Sequence, residues 1–373
     1  MVSVAYCLNL CQYLRISTID DFKIDSTGYL LILKLIESRI YDDIKRTEVK
    51  LEETLVYYSN MSSSDSFFNK MRRNSHSNEI SNLNSEISKK KLWLSLWIKQ
   101  CLEPIKSSSD LELYNNDISQ ILSLFKENKD NTFKLYLILE EVILSPIYGE
   151  FEGFPKGISE RDISKSCELI SSYLGFSADE GKKILNDLDT FIKGLNNHWG
   201  KIIKWTLAGT LVTALTAGLA APAIAAAVGG LMGLHGVAAT AAGLAFFGGG
   251  SLAAGGLGMA GGLTIIIGSG TILGAVGGYN TAKIIGSMSQ EYISVSMSKL
   301  YSYVYYLHSK TGVGGGESRE ISNRILDKFT RLKYTIESEL IMNRYTDNID
   351  NYIKNIKIMN YTYDKLVKFL VKG

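Results

Sequence analysis

Apolar residues recur at every third or fourth position over most of the chain, which is the spacing of amphipathic helices. The pattern runs through 28–58, 80–98, 111–195, 289–307, 321–336 and 349–363. Strict alternation of apolar and polar residues, which is typical of half-buried strands, is nowhere sustained long enough to build a sheet. We therefore predict an all-α fold for the parts of the chain that carry charge.

Capping residues divide the central run into separate helices. Ser159 stands where an N-cap is expected and Gly175 where a C-cap is expected, which predicts a helix over 159–174. Ser177–Glu180 has the form of a capping box and predicts the start of a second helix over 178–195. The two predicted helices are joined by a very short turn.

Two stretches without an apolar period separate other helices. The polar stretch 60–78 is predicted to be a loop. A glycine-rich turn at 311–316 precedes two further helical runs, which predict an antiparallel C-terminal hairpin.

Three lysines, 89–91, stand directly before Trp93 and Trp97. A basic turn beside amphipathic aromatic rings is typical of a helix lying on a membrane surface. The alternative is a solvated turn that leads into a helix of the protein core, and this is favoured because a single turn is basic.

The most unusual part of the chain is a segment without charge. Residues 205–282, called here the charge-free segment, contain no Asp, Glu, Lys or Arg in 78 positions and hold 20 of the 34 glycines. A bilayer core requires about 20 residues for each helical pass. The sequence therefore predicts a multi-pass transmembrane helical segment, which with its flanks spans 201–284.

Small residues recur at every fourth position in the second half of the charge-free segment. They let helix backbones approach closely, which is how helices associate in lipid. In water each glycine would cost a helix about 0.8–1 kcal/mol relative to alanine. We predict that these positions pack membrane helices together and support a homo-oligomer. The predicted packing positions are Gly250, Ala254, Gly258, Gly262, Gly270, Gly274 and Gly278.

Basic and aromatic residues flank the charge-free segment. The predicted membrane-interface anchors are Lys201, Lys204, Trp205, Tyr279 and Lys283. Positive charge at both ends favours an even number of passes, with the helical domains in the cytoplasm. The alternative is a Gly- and Ala-rich hairpin that is wrapped by amphipathic helices at rest and inserts later.

A family resemblance lies in the helical region before this segment. Its motifs are Leu139-Glu140-Glu141-Val142-Ile143, Gly149-Glu150-Phe151, Glu160, Ile163, Leu174-Gly175-Phe176-Ser177 and Glu180. Over about residues 134–195 this pattern resembles the helical domain of TerB-like proteins, which implies an all-helical module. The Asp-Gly turn that can carry metal-binding acids in that family is Ile147-Tyr148-Gly149-Glu150 here, so no metal ligands are carried over.

A helical module of this kind beside a glycine-rich membrane segment is similar to membrane-disrupting effectors of bacterial antiphage immunity. The plan also resembles α-helical pore-forming proteins, in which an apolar hairpin lies between longer helices. The resemblance implies a lipid bilayer as the partner, and it implies oligomerisation and permeabilisation of the membrane.

Charge, cysteine content and motifs exclude several classes of protein. Lys and Arg number 40 against 38 Asp and Glu, which gives no basic field for nucleic acid. The four cysteines, Cys7, Cys11, Cys101 and Cys167, are expected to be buried thiols in a reducing compartment. His235 is the one imidazole of the charge-free segment and is either an intramembrane functional group or part of an interfacial turn. No catalytic, cofactor-binding or metal-binding constellation is found, and we expect no enzymatic activity.

The expected organisation has four parts: an N-terminal helical region (1–105), a TerB-like domain (106–200), the membrane segment (201–284) and a C-terminal helical hairpin (285–373). The expected location is the inner membrane of a cell, since the N-terminus lacks the basic region of a signal peptide. Two functions follow: a membrane-permeabilising effector, with a regulatory protein as a further partner, or a membrane-anchored scaffold that binds proteins and forms no pore.

Overall fold

The computed structural model describes residues 20–60, 67–102, 108–145, 147–148, 153–199, 265–266, 273, 285–286, 288, 290–309, 315–341 and 349–372. Within them the prediction of an all-α fold is confirmed. The helices are α1 (Ser26–Ser59), α2 (Phe67–Leu102), α3 (Ser108–Tyr114), α4 (Ile118–Glu127), α5 (Lys134–Leu144), α6 (Ile163–Leu174), α7 (Glu180–Trp199), α8 (Gln290–Ser309), α9 (Gly315–Ile341) and α10 (Ile349–Lys372). We call them together the helical body.

A long antiparallel hairpin of α1 and α2 forms one side of the body. Its direction follows from contacts near both ends, since Tyr58 faces Arg73 whereas Thr47 faces Lys90. The prediction of a loop over 60–78 is wrong from Phe67 onward, because α2 already begins there. The first turns of α2 contact α1 through rings and not through a periodic apolar face. The rings of Tyr57 and His76, for example, have centroids 4.9 Å apart.

The predicted helix pair of the central region is confirmed with different starting points. Gly175 ends α6 in the left-handed conformation, with φ of 81°, as expected of a C-cap. The N-cap of α6 is Asp162 and not Ser159, because the Asp162 carboxylate accepts a hydrogen bond from the Lys165 amide. The next helix, α7, begins at Glu180 and continues to Trp199.

The C-terminal hairpin is antiparallel, as predicted. The Tyr352 hydroxyl donates to the Ile336 carbonyl at 2.8 Å, and the Thr330 hydroxyl donates to the Tyr363 hydroxyl at 3.2 Å. As residue numbers rise along α10, those of their partners on α9 therefore fall. The hairpin packs on α8, which is almost wholly buried.

A minimal strand pairing accompanies the helices. β1 (Lys23–Ile24) pairs antiparallel with β2 (Ile265–Ile266), with Lys23 opposite Ile266. The sequence contains no alternating pattern for these strands because each has two residues. Ile266 is also the one large residue in the four-residue series of small positions.

Arg39 on α1 is a buried charge with several partners. Its guanidinium donates to both carboxylate oxygens of Glu160, at 2.9 and 2.6 Å, and to the carbonyls of Val142, Ile143 and Ser145 at the end of α5. Although burial opposes ionisation of Glu160, Arg39 holds its pKa below the usual value. One side chain thus joins α1, the C-terminus of α5 and the segment before α6.

Lys90 on α2 is the second charge buried against α1. Its ammonium contacts Asp43 at 2.6 Å, Glu86 at 2.8 Å and Thr47 at 3.0 Å, which uses all three donors. Trp93 and Trp97 on the same helix are buried in the core. The core-helix part of the alternative is therefore confirmed, and the membrane-surface alternative is wrong. The solvated turn is also wrong, because residues 89–91 lie within α2 and Lys90 is completely buried.

Cys101 and Cys167 are buried free thiols, as expected. Burial raises the pKa of Cys101 to about 12 and that of Cys167 to about 11. Neither is therefore a thiolate at neutral pH. Cys7 and Cys11 lie outside the described residues.

The proposed division into four parts stays a prediction. Ion pairs join the first part to two others: Arg39 on α1 pairs with Glu160 in the second part, and Asp21 pairs with Arg324 on α9 in the fourth. In the part of the chain described here, no helix combines the length and the apolar character needed to cross a bilayer.

Replacing Arg39 with alanine is expected to lower the free energy of unfolding by about 3–5 kcal/mol, because the buried carboxylate of Glu160 would lose its counter-ion. The measurement is urea denaturation of the full chain. Arg331→Ala is the matched control, since Arg331 and Asp327 form an exposed pair at 2.9 Å, and such a pair contributes about 1 kcal/mol or less. Equal losses in the two variants would contradict the assignment.

Candidate functional site

The candidate functional site is the junction where the charge-free segment meets the helical body. α7 ends at Trp199, shortly before the segment, and α8 begins at Gln290, shortly after it. The two helices are antiparallel neighbours: Lys183 lies over the ring of Tyr305, and the ring of Phe191 contacts that of Tyr301. The C-terminus of α7 and the N-terminus of α8 therefore point to the same end of the body.

This geometry constrains the path of the chain between the two helices. The chain leaves α7 and enters α8 at the same end of the helical body. A segment with this property crosses a bilayer an even number of times if it crosses at all. The even number of passes that the sequence favours stays a prediction.

Two asparagines on α10 hold the short turn that precedes α8. The side-chain amide of Asn355 donates to the carbonyls of Ile285, at 2.7 Å, and Met288, at 2.9 Å. The amide of Asn351, one helical turn earlier, donates to the carbonyls of Gly286, at 2.7 Å, and Met288, at 2.9 Å. We call these two residues the asparagine clamp. It fixes the backbone within a few residues of the end of the charge-free segment.

The clamp lies in a desolvated part of the body. Asn355 and Ile285 are completely buried, and Met288 is nearly so. Asn351 is half-buried, and its side-chain oxygen accepts a hydrogen bond from Gln290 at 3.2 Å. Because buried carbonyls need partners, the asparagine amides satisfy groups that water cannot reach.

β1 supplies a second attachment point, inside the charge-free segment. Ile265 and Ile266 pair with β1 through their backbones, and Leu273 is completely buried in the core of the body. β1 itself is fixed on both sides. Asp21 forms a two-pronged ion pair with Arg324, and Asp25 caps the N-terminus of α1 by accepting from the Gly28 amide.

Gly28 permits the close packing that positions β1. A Cβ atom at this position would lie 2.7 Å from the ring of Phe125 on α4 and 2.9 Å from the Cβ of Ile24. Both distances are too short for a Cβ atom. The start of α1 can therefore pack this closely against α4 and β1 only because residue 28 is glycine.

Two adjacent acidic residues on α5, Glu140 and Glu141, face α8. Lys299, on α8, forms a buried ion pair with Glu141 at 2.8 Å. Glu140 is also completely buried, yet neither of its carboxyl oxygens forms a hydrogen bond of ordinary geometry within the described part of the chain. Burial raises the pKa of Glu140 well above its ordinary value, and the nearby Ser302 and Lys299 only partly oppose this.

The predicted site residues all lie outside the described residues. These are the seven packing positions from Gly250 to Gly278 and the interface anchors Lys201, Lys204, Trp205, Tyr279 and Lys283. Their roles stay predictions. The contacts described above instead involve Asn351, Asn355, β1 and the Glu140–Glu141 pair, for which the sequence pattern carries no signal.

Comparison with known proteins adds no relative. No protein-family model matches the chain, and neither the curated proteins nor the solved structures contain a match. Within the described residues, no group of three or more His, Cys, Asp or Glu side chains is placed to hold a metal ion. The resemblance to TerB-like proteins stays a prediction.

Replacing Glu140 with glutamine is expected to stabilise the protein at neutral pH. As pH rises above about 4.5, the ordinary value for Glu, the unfolded chain loses this proton while the folded chain retains it. The free energy of unfolding therefore falls as pH rises, until pH passes the raised pKa of Glu140 in the folded chain. The total loss is about 1.4 kcal/mol for each unit by which this pKa differs between the folded and the unfolded chain. The check is the free energy of unfolding at pH 4 and pH 7, and the gain from Glu140→Gln should appear only at pH 7.

Glu141→Gln is the matched control for this experiment. It removes the partner of the buried Lys299 and should destabilise the protein at pH 7. Parallel pH profiles for wild type and Glu140→Gln would contradict the assignment of a protonated Glu140.

Proposed function

We propose that this protein is a non-enzymatic membrane effector, whose charge-free segment inserts into a bilayer, oligomerises and permeabilises it. The observation that carries the proposal is the 78-residue stretch without a charged side chain, which holds 20 of the 34 glycines. The proposed location is the inner membrane of a cell, with the helical body in the cytoplasm. The setting implied by the sequence resemblance is bacterial antiphage defence.

The composition of the segment supports a role in lipid. Glycine in a water-exposed helix is unfavourable, whereas small residues at every fourth position allow close helix contacts in a bilayer. The proposed packing positions are Gly250, Ala254, Gly258, Gly262, Gly270, Gly274 and Gly278. The proposed partners are the lipid bilayer, further copies of the chain and a regulatory protein, with no role for nucleic acid or a cofactor.

The geometry of the junction is compatible with this proposal. Because α7 and α8 are antiparallel, a membrane-inserted segment can extend from one end of the body and return to the same end. Lys201, Lys204 and Trp205 on one side, and Tyr279 and Lys283 on the other, are proposed to lie at the membrane surface.

Replacing Gly258 and Gly262 together with leucine is expected to reduce membrane damage at least tenfold, because the larger side chains prevent close helix contact. The measurement is dye release from lipid vesicles, with growth arrest of expressing cells as a second readout. The matched control replaces the same two glycines with alanine, which keeps both positions small and should retain activity. Undiminished damage from the leucine variant would count against the proposal.

A membrane-anchored scaffold is the second candidate function. A groove of about 870 Å³ between α1 and α4 favours it, because such a surface can bind a partner protein. Tyr41 and Tyr173 line the groove and are 54% and 40% exposed. Lys34 and Glu37 add charges of both signs.

Exchange of the charge-free segment distinguishes the two functions. Residues 205–282 are replaced with an unrelated two-pass anchor, and the cellular effect of the full chain is compared with that of the exchanged chain. The proposed permeabilising function requires that the effect be lost. Retention of the effect would favour the scaffold.

A further inference from the structure

The β1–β2 pairing conflicts with the membrane-inserted form of the charge-free segment. Ile265 and Ile266 lie within the charge-free segment, which the sequence predicts to cross the membrane several times. Their backbones are paired with β1, which is part of the helical body. A helix in lipid must satisfy its backbone groups internally, so the same residues cannot be paired with β1 and cross the bilayer at once.

Further contacts hold the following residues to the body. Leu273 is completely buried in the hydrophobic core, and the asparagine clamp binds the backbone carbonyls of Ile285, Gly286 and Met288. Attachment points thus occur at 265–266, at 273 and at 285–288. The first two of these attachment points lie within the charge-free segment, and the third lies just beyond its end.

We propose that these contacts form a closed state, in which the helical body retains the end of the charge-free segment, and that β1 must release β2 before this part can enter a membrane. This inference rests on the proposed function, since it describes how that function is held inactive. The occupant of the site on β1 is the chain's own residues 265–266.

The attachments are few and can be reversed: two of them are polar, and the third is the apolar contact of Leu273 with the core. β1 and β2 pair over two residues each, which is far shorter than a strand pair that is stable by itself. The asparagine clamp acts through side-chain amides, and a bilayer or a partner protein that favours the released form would shift the equilibrium toward it. The closed state is thus a contact that can be opened without unfolding α1 or α10.

A disulfide between β1 and β2 tests the inference directly. Lys23 and Ile266 are opposite each other, and the Cβ atoms of such residues are about 4.5–5.5 Å apart, near the range that a disulfide spans. The full chain carries Lys23→Cys and Ile266→Cys, with Cys7 and Cys11 replaced by serine. The two single-cysteine variants in the same background are the controls.

Flotation with vesicles of phosphatidylethanolamine and phosphatidylglycerol is the first readout, and dye release is the second. The oxidised double variant is expected to float and release dye at less than one tenth of its reduced level. Reduction should restore both, while the single-cysteine controls should not respond to the oxidant. Asn355→Ala is expected to raise flotation severalfold over wild type, and Asn360→Ala on the same helix is expected to leave it unchanged.

The outcomes separate this inference from the proposed function. Failure of the cross-link to form, or equal flotation and release in the oxidised and reduced states, would overturn the closed state. Reduced protein that floats more than oxidised protein but releases no dye would support the closed state and reject permeabilisation. Reduced protein that neither floats nor releases dye would overturn both.

Discussion

Charged side chains buried around α1 are the constraint on which the helical body depends. Arg39 and Asp43 lie one helical turn apart on a helix that also packs against α2, α4, α5 and α6, so neither can reach bulk water. Arg39 is satisfied by Glu160 and by carbonyls at the end of α5, and Asp43 by Lys90, Tyr148 and the Arg161 amide. Because an unpaired buried charge is strongly destabilising, these partners fix the positions of α2, α5 and the start of α6 relative to α1.

The junction inherits its geometry from this arrangement. α5 carries Glu141, which pairs with Lys299 on α8, and α8 in turn packs against α7 and the C-terminal hairpin. The chain before α1 contributes β1 and the Asp21–Arg324 pair. The attachment points of the charge-free segment are therefore linked through these contacts to the helices that surround α1.

The sequence predicts the helices well where a helix has one apolar face. The run 28–58 corresponds to α1, and the C-terminal runs correspond to α9 and α10. In α9, and in α1 beyond Ile36, the buried positions recur about every three or four residues. The apolar pattern is uninformative where polar groups are buried. Lys90, Glu140 and Asn355 are all completely buried, yet their burial depends on partners that are distant in sequence. The β1–β2 pairing is equally invisible in the sequence, because Ile24 and its partner Ile265 are neighbours in space but lie far apart along the chain.

The central claim is that the charge-free segment acts within the hydrocarbon core of a bilayer. The most direct measurement places an environment-sensitive fluorophore at Gly258→Cys in the full chain, with Cys7 and Cys11 replaced by serine, and compares quenching by lipid-attached nitroxides with quenching by aqueous iodide. Tyr173→Cys, on the exposed surface of α6, is the matched control. The account predicts that on addition of vesicles position 258 is quenched by the nitroxides and protected from iodide, while position 173 remains accessible to iodide. Quenching of position 258 by iodide alone, in the presence of membranes, would contradict it.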